Sequence, residues 1–152
     1  MTRNGWILLA TLGSFALIAG ALIFEYMGYA PCRMCHWQRW PHYAAIGIGV
    51  VALIGLSWLA WAGVAAATTT AAIGIYHTGV ERGWWEGPQS CTGGGEDLST
   101  LSGADLLSLN APTVVMCDEV AWALFGISMA SWNAIFSLIL VIFWLRAART
   151  DV

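Results

Sequence analysis

The chain has 152 residues, 59% of them hydrophobic and 10% charged, with a formal net charge of −3 and a mean hydropathy of +0.68. That length is enough for one domain, and so apolar a composition excludes an ordinary water-soluble fold. Six basic residues against nine acidic ones also exclude a basic nucleic-acid-binding surface.

Nothing charged intervenes from Arg3 to Glu25, from Arg39 to Glu81, or from Glu119 to Arg146. A spanning helix needs roughly 20 apolar residues. The first run predicts a membrane helix over about residues 5–24. Ala19-Gly20-Ala21 after a basic start also resembles a signal-peptide cleavage region. The apolar run nevertheless continues through Leu22, Ile23 and Phe24, so the segment is expected to remain as a helix.

A short loop over about residues 25–39 follows, with Pro31-Cys32-Arg33-Met34-Cys35-His36 at its centre. Cys35 is placed just before the second helix, with Pro41 at the helix start, where a missing N–H costs nothing. Arg39 then lies one turn beyond Cys35. The helix dipole and Arg39 together favour a Cys35 thiolate, the reactive form of cysteine.

The long middle run holds two helices, over about 40–57 and 60–77, with a tight turn near Leu56-Ser57-Trp58. Gly47, Gly49 and Gly55 are expected to allow close helix packing. The stretch over about 78–121 is the one with soluble-like composition, and it carries Cys91 and Cys117. Thr92-Gly93-Gly94-Gly95 reads as flexible. Residues 98–109 allow a short surface helix ended by Pro112. The fourth helix is expected over about 122–145. Trp6, Trp58, Trp61, Trp122 and Trp144 fall near predicted helix ends, as an aromatic belt would.

Four spanning helices put both termini on one side and both cysteine loops on the other. Arginines do not decide which: Arg3, Arg146 and Arg149 balance Arg33, Arg39 and Arg82. The cysteines favour an oxidising compartment for the loops. The expectation is therefore an all-α membrane protein, a four-transmembrane-helix bundle forming one integral membrane domain over 1–152. Its two cysteine-bearing loops are periplasmic, and both termini are cytoplasmic, in a bacterial inner membrane.

Cysteine chemistry has several readings here. Cys32-x-x-Cys35-His36 has the form of a covalent c-type haem site, which would make the chain a membrane-anchored electron-transfer protein. That reading leaves Cys91 and Cys117 without a role. A four-cysteine zinc site normally shows two close pairs, which Cys91 and Cys117 are not. Two inert structural disulfides, or a thiol sensor without turnover, are further readings. A redox relay between two cysteine pairs uses all four. At one predicted depth lie Arg39, His77 and Met129. An amphipathic quinone suits that depth, with Arg39 or His77 bonding its oxygens and Met129 packing on its ring.

Taken in order, Pro31-Cys32-x-x-Cys35-x-x-Gln38-Arg39, Tyr76-His77-x-Gly79-Val80-Glu81, Cys91, Cys117-Asp118-x-x-x-Trp122 and Gly126-x-Ser128-Met129-x-x-Trp132-Asn133 resemble the DsbB disulfide-bond formation proteins. The vitamin K epoxide reductase type carries its CxxC at a later helix. The resemblance runs through nearly the whole chain. It implies a membrane disulfide oxidoreductase that reoxidises a periplasmic DsbA-type dithiol protein and passes the electrons to membrane quinone, ubiquinone or menaquinone. By the same resemblance, Cys91 and Cys117 face the soluble partner and Cys32 and Cys35 pass electrons onward. Arg39, His77 and Met129 match quinone-site positions, and Gly93–Gly95 departs from the family pattern. DsbA-type partners are strong oxidants, near −120 mV, so only a stronger acceptor such as a respiratory quinone pool reoxidises them.

Overall fold

The computed structural model of the chain describes residues 1–88, 91 and 115–150. The expected surface helix over 98–109, the Gly93–Gly95 tract and Pro112 lie outside these residues. The described elements are α1 (Arg3–Tyr26), α2 (Arg33–Leu53), a 3₁₀ turn (Ser57–Leu59), α3 (Ala60–Glu81), the strands β1 (Ala123–Leu124) and β2 (Ile127–Ser128), and α4 (Met129–Arg149). The helices run for 24, 21, 22 and 21 residues. At 1.5 Å per residue that is about 32–36 Å, against a hydrocarbon core of about 30 Å. By length and apolarity α1 and α4 each qualify as membrane spans.

Polarity is distributed the opposite way from that of a water-soluble protein. Leu12, Phe15, Val50, Ile75, Leu138 and Ile142 point outward, while Ser14, Gln38, His42, Thr70, His77 and Ser137 are buried between helices. Apolar side chains outside and hydrogen-bonding ones inside are what lipid solvation selects. The interior is lined by small residues, including Ala10, Ala45, Ala52, Ala67, Ala71 and Ala134, so the backbones approach closely.

Helix packing corrects two expectations. Of the three glycines in the second segment, only Gly49 serves as a helix contact: a Cβ there would strike the Thr11 side chain of α1. A Cβ on Gly47 would meet open space, and Gly55 lies beyond α2 in the turn to α3. Trp144 is not a belt residue but is fully buried, its indole seated against Gly63 so that α3 and α4 close around it. Trp58 in the 3₁₀ turn and Trp61 in the first turn of α3 are exposed, as an interfacial tryptophan should be.

Helix boundaries also differ. The second helix starts at Arg33 rather than about residue 40, because Cys32 caps it: its Sγ accepts the Cys35 backbone N–H at 3.2 Å. Pro41 is therefore inside α2, not at its start. The third helix continues past His77 to Glu81. The fourth begins at Met129 rather than 122, capped by Ser128 Oγ accepting from Ser131 N–H at 3.2 Å. The residues before it form a hairpin, Ala123 opposite Ser128 and Leu124 opposite Ile127. Phe125 and Gly126 turn it with φ of 53° and 74°. Two positive φ values are what a tight hairpin turn requires, and only the glycine adopts one without steric cost.

Candidate functional site

Both cysteine pairs converge at one end of the bundle. Cys91 and Cys117 form a disulfide with Cα atoms 5.2 Å apart, and Cys32 and Cys35 are free thiols with sulfurs 2.8 Å apart. Cys32, Met34, Val80, Cys91 and Cys117 make a buried cluster, with Cys35 and Val115 against it. The Cys117–Cys91 contact is held by the Cys117 N–H donating to the Cys91 carbonyl at 2.8 Å. Cys32 Sγ, Cys117 Sγ and a His77 ring nitrogen all lie within 4.8 Å of one another. Metal binding there would need free thiolates, whereas Cys117 is in a disulfide.

His77 reaches the cluster because α3 continues beyond it, presenting Nε2 3.5 Å from Cys32 Sγ. One turn on, Glu81 Oε1 lies 4.0 Å from the same nitrogen, and Glu81 Oε2 accepts from Ser128 Oγ. Thiolate stabilisation is expected at Cys35, but the geometry places it on Cys32. Cys32 sits ahead of α2 at the positive end of the helix and receives the Cys35 backbone N–H. The adjacent Cys35 thiol, and next His77, hold the Cys32 thiol well below its ordinary value, down to about 4, although burial pushes the other way. Arg39 is not aimed at Cys35: its Nη1 donates to Glu25 Oε2 at 2.6 Å, tying α2 to the end of α1.

Beside the sulfurs opens a cavity of about 370 Å³. Cys32, Cys35, Arg39, His77 and Met129 all line it, five of the seven sequence-predicted site residues. The other two, Cys91 and Cys117, lie behind Cys32 in the sulfur cluster. Apolar walls come from Leu17, Ala21, Phe24, Trp122 and Phe136, and polar groups from Gln38, His42, Glu81 and Asn133. Gln38 and Asn133 were visible only as members of a motif, without chemistry attached. His42, in the middle of an apolar run, carried its own signal: an ionisable side chain inside a membrane helix marks a functional interior. Glu81 and Ser128 had no individual signal beyond the motif.

An all-α membrane bundle with a CxxC at a helix N-terminus and a second cysteine pair pressed against it has the parts of a membrane thiol–disulfide oxidoreductase. The family described as "Disulfide bond formation protein DsbB" matches residues 3–147. A protein named "Disulfide bond formation protein B" from Actinobacillus pleuropneumoniae serotype 5b (strain L20) is 31% identical, over 93% of this chain and 85% of its own length. Another of that name from Aromatoleum aromaticum (strain DSM 19018 / LMG 30748 / EbN1) is 30% identical, over 87% of this chain and 86% of its own length. No solved structure matches. The chain belongs to the DsbB family of disulfide bond formation proteins, and is a helical membrane protein and a disulfide-forming oxidoreductase.

Proposed function

We propose that the chain reoxidises a periplasmic DsbA-type dithiol protein and passes the electrons to membrane quinone, with both cysteine loops periplasmic and both termini cytoplasmic. The observation that carries this reading is the approach of Cys117 Sγ to Cys32 Sγ within 4.8 Å, with Cys32 itself lining a cavity shared with Arg39 and Met129.

The thiolate of the reduced partner attacks Cys91 Sγ; the Cys91–Cys117 bond breaks and Cys117 leaves as a thiolate. Cys117 attacks Cys32 Sγ in the oxidised Cys32–Cys35 pair and expels Cys35. The partner's second thiolate resolves the mixed disulfide and releases Cys91. Cys91 then attacks Cys117 and expels Cys32. Cys32 suits that last role, because a thiol held near 4 is a good leaving group. The net result is a partner disulfide and a reduced Cys32–Cys35 pair, so two electrons and two protons have moved inward.

The cavity residues fit an amphipathic ring: apolar walls, with the donor Arg39, the His77 ring and the soft side chain of Met129 among the lining. A quinone bound there supplies the acceptor for the two electrons and two protons released when Cys32–Cys35 closes. Arg39, whose guanidinium has N–H groups beyond the one given to Glu25, would hold its oxygens and Met129 would pack on its ring, with His77 lining the site beside Cys32. Covalent haem at Cys32 and Cys35 is disfavoured by the same geometry, since the Cys32 sulfur is buried in the cluster against the second cysteine pair. The test is anaerobic: purified protein, reduced DsbA-type partner and quinone should yield one quinol per partner disulfide. No quinone consumption, or a haemochrome spectrum from the purified chain, sinks the reading.

A further inference from the structure

A second continuous feature begins on the far side of the His77 ring. His77 Nδ1 lies 2.7 Å from Gln38 Nε2, and Gln38 Oε1 accepts from Asn133 Nδ2 at 2.7 Å. Asn133 Nδ2 also donates to Thr70 Oγ1 at 3.3 Å, and Asn133 Oδ1 lies 3.1 Å from His42 Nε2. Ser137 Oγ is 3.4 Å from that same nitrogen. The network crosses three helices; Gln38, His42, Thr70, His77 and Ser137 are buried in the bundle interior and Asn133 is half-buried, where an unpaired amide is costly.

Two carbonyl groups fix which way this chain points. Thr70 Oγ1 donates its one proton to the Gln38 carbonyl at 3.0 Å, so it is an acceptor toward Asn133 and must face the Asn133 NH₂. Gln38 Nε2 faces the Met34 carbonyl at 3.4 Å, so its NH₂ is on that side, and its oxygen is left for Asn133. Reversing either amide would set oxygen against oxygen. Gln38 therefore presents an N–H to His77 Nδ1. A nitrogen that accepts a hydrogen bond carries no proton, so the ring proton is on Nε2. Nε2 faces Cys32 Sγ, with Glu81 Oε1 on the same side.

We propose that Gln38, oriented by Asn133 and Thr70, is a positioning residue that locks His77 in the Nε2–H tautomer and so supplies Cys32 with a fixed ring N–H donor. The proposal rests on Cys32 being the redox-active cysteine of the function proposed above. It assigns a task to the Gln38 and Asn133 amides, which the disulfide relay itself does not use.

The test is nitrogen-15 NMR of the detergent-solubilised full chain labelled in its histidine rings, with His77→Gln identifying the His77 signals. The expected result is an unprotonated Nδ1 and a protonated Nε2. In Gln38→Leu the Nδ1 acceptor loses its donor, so a Nδ1–H population should emerge, and iodoacetamide should alkylate Cys32 about ten-fold more slowly near the midpoint of its titration. Asn133→Ala, which frees Gln38 without touching the ring, should move both readouts in the same direction by less. A proton on Nδ1 in the unaltered chain overturns the proposal, as does an unchanged tautomer in Gln38→Leu. The unaltered chain alone decides if the variants fail to fold. Neither readout needs quinone or partner, so a chain that shows this tautomer but no quinone turnover overturns the proposed function and leaves this assignment standing.

Discussion

Replacing Cys35 by alanine isolates the largest influence on Cys32. In the folded chain the Cys35 thiol is 2.8 Å from Cys32 Sγ and is the leading cause holding Cys32 at about 4. Alanine removes that donor but keeps the backbone N–H, which donates to Cys32 at 3.2 Å, and keeps His77 in place. A hydrogen bond to a charged group is worth roughly 1.5–3 kcal/mol, and one pH unit is about 1.4 kcal/mol. The Cys32 midpoint should therefore rise by about 1–2 units, to about 5–6. The sign follows from the thiolate being the reactive form: alkylation is maximal above the midpoint and is lost as pH falls through it. The assay is the rate of iodoacetamide modification against pH in a Cys91→Ala/Cys117→Ala background, where only the CxxC reacts. Chains with Cys35 should lose half their Cys32 rate near pH 4; chains with Cys35→Ala should do so at the higher value. A half-rate near 9, or no difference between the two, would show that Cys32 is an ordinary thiol and that the short sulfur contact does not stabilise its thiolate.

Arg39→Ala should raise the apparent KM for quinone or lower turnover by the equivalent of roughly 3–4 kcal/mol while leaving partner exchange at Cys91 intact, with Arg39→Lys recovering part of the loss. Normal quinone kinetics in Arg39→Ala would reduce the residue to its ion pair with Glu25. Gly63→Val drives a side chain into the Trp144 indole and should destabilise the bundle by about 1–3 kcal/mol, read as a lower thermal midpoint in detergent. An unchanged midpoint would mean that α3 and α4 are not closed on Trp144. Alkaline phosphatase should be active when fused after Gly87 and inactive when fused after Ala148; the reverse pattern would place the cysteines in the cytoplasm.

Charge placement made the bundle legible. The runs bounded by Arg3, Glu25, Arg39, Glu81, Glu119 and Arg146 mark where lipid-facing helices lie. Helix ends were less so, because they depend on hydrogen bonds rather than hydropathy. The start of α2 is set by a cysteine acting as a cap, and a charge-bounded run cannot reveal that Arg33 and Arg39 are already helical. Ala123 to Ser128 is apolar enough to extend a helix on paper, yet the Phe125-Gly126 turn folds it into a hairpin. Trp144 has the residue type and position of an interfacial anchor; only the notch at Gly63, on another helix, shows that it is core.

The site was legible as residue types in order. Cys32, Cys35, Arg39, His77 and Met129 line one cavity, drawn from three helices and a loop. What order does not carry is pairing in space. Arg39 has Glu25 within reach on the preceding helix end, which diverts it from Cys35, and the N-cap position hands the thiolate to Cys32. The Gln38–Asn133 contact joins residues of α2 and α4 and exists only once the helices are packed.

At the centre of this account is the transfer of a disulfide between two pairs that meet at Cys32 and Cys117. The most direct measurement is a Cys35→Ser/Cys91→Ser chain, in which those two are the only remaining cysteines. Mild oxidation followed by non-reducing peptide mapping should find Cys32 and Cys117 joined within one chain, because their sulfurs already lie within 4.8 Å. Free thiols at both positions after oxidation, or cross-links formed only between chains, would contradict the relay.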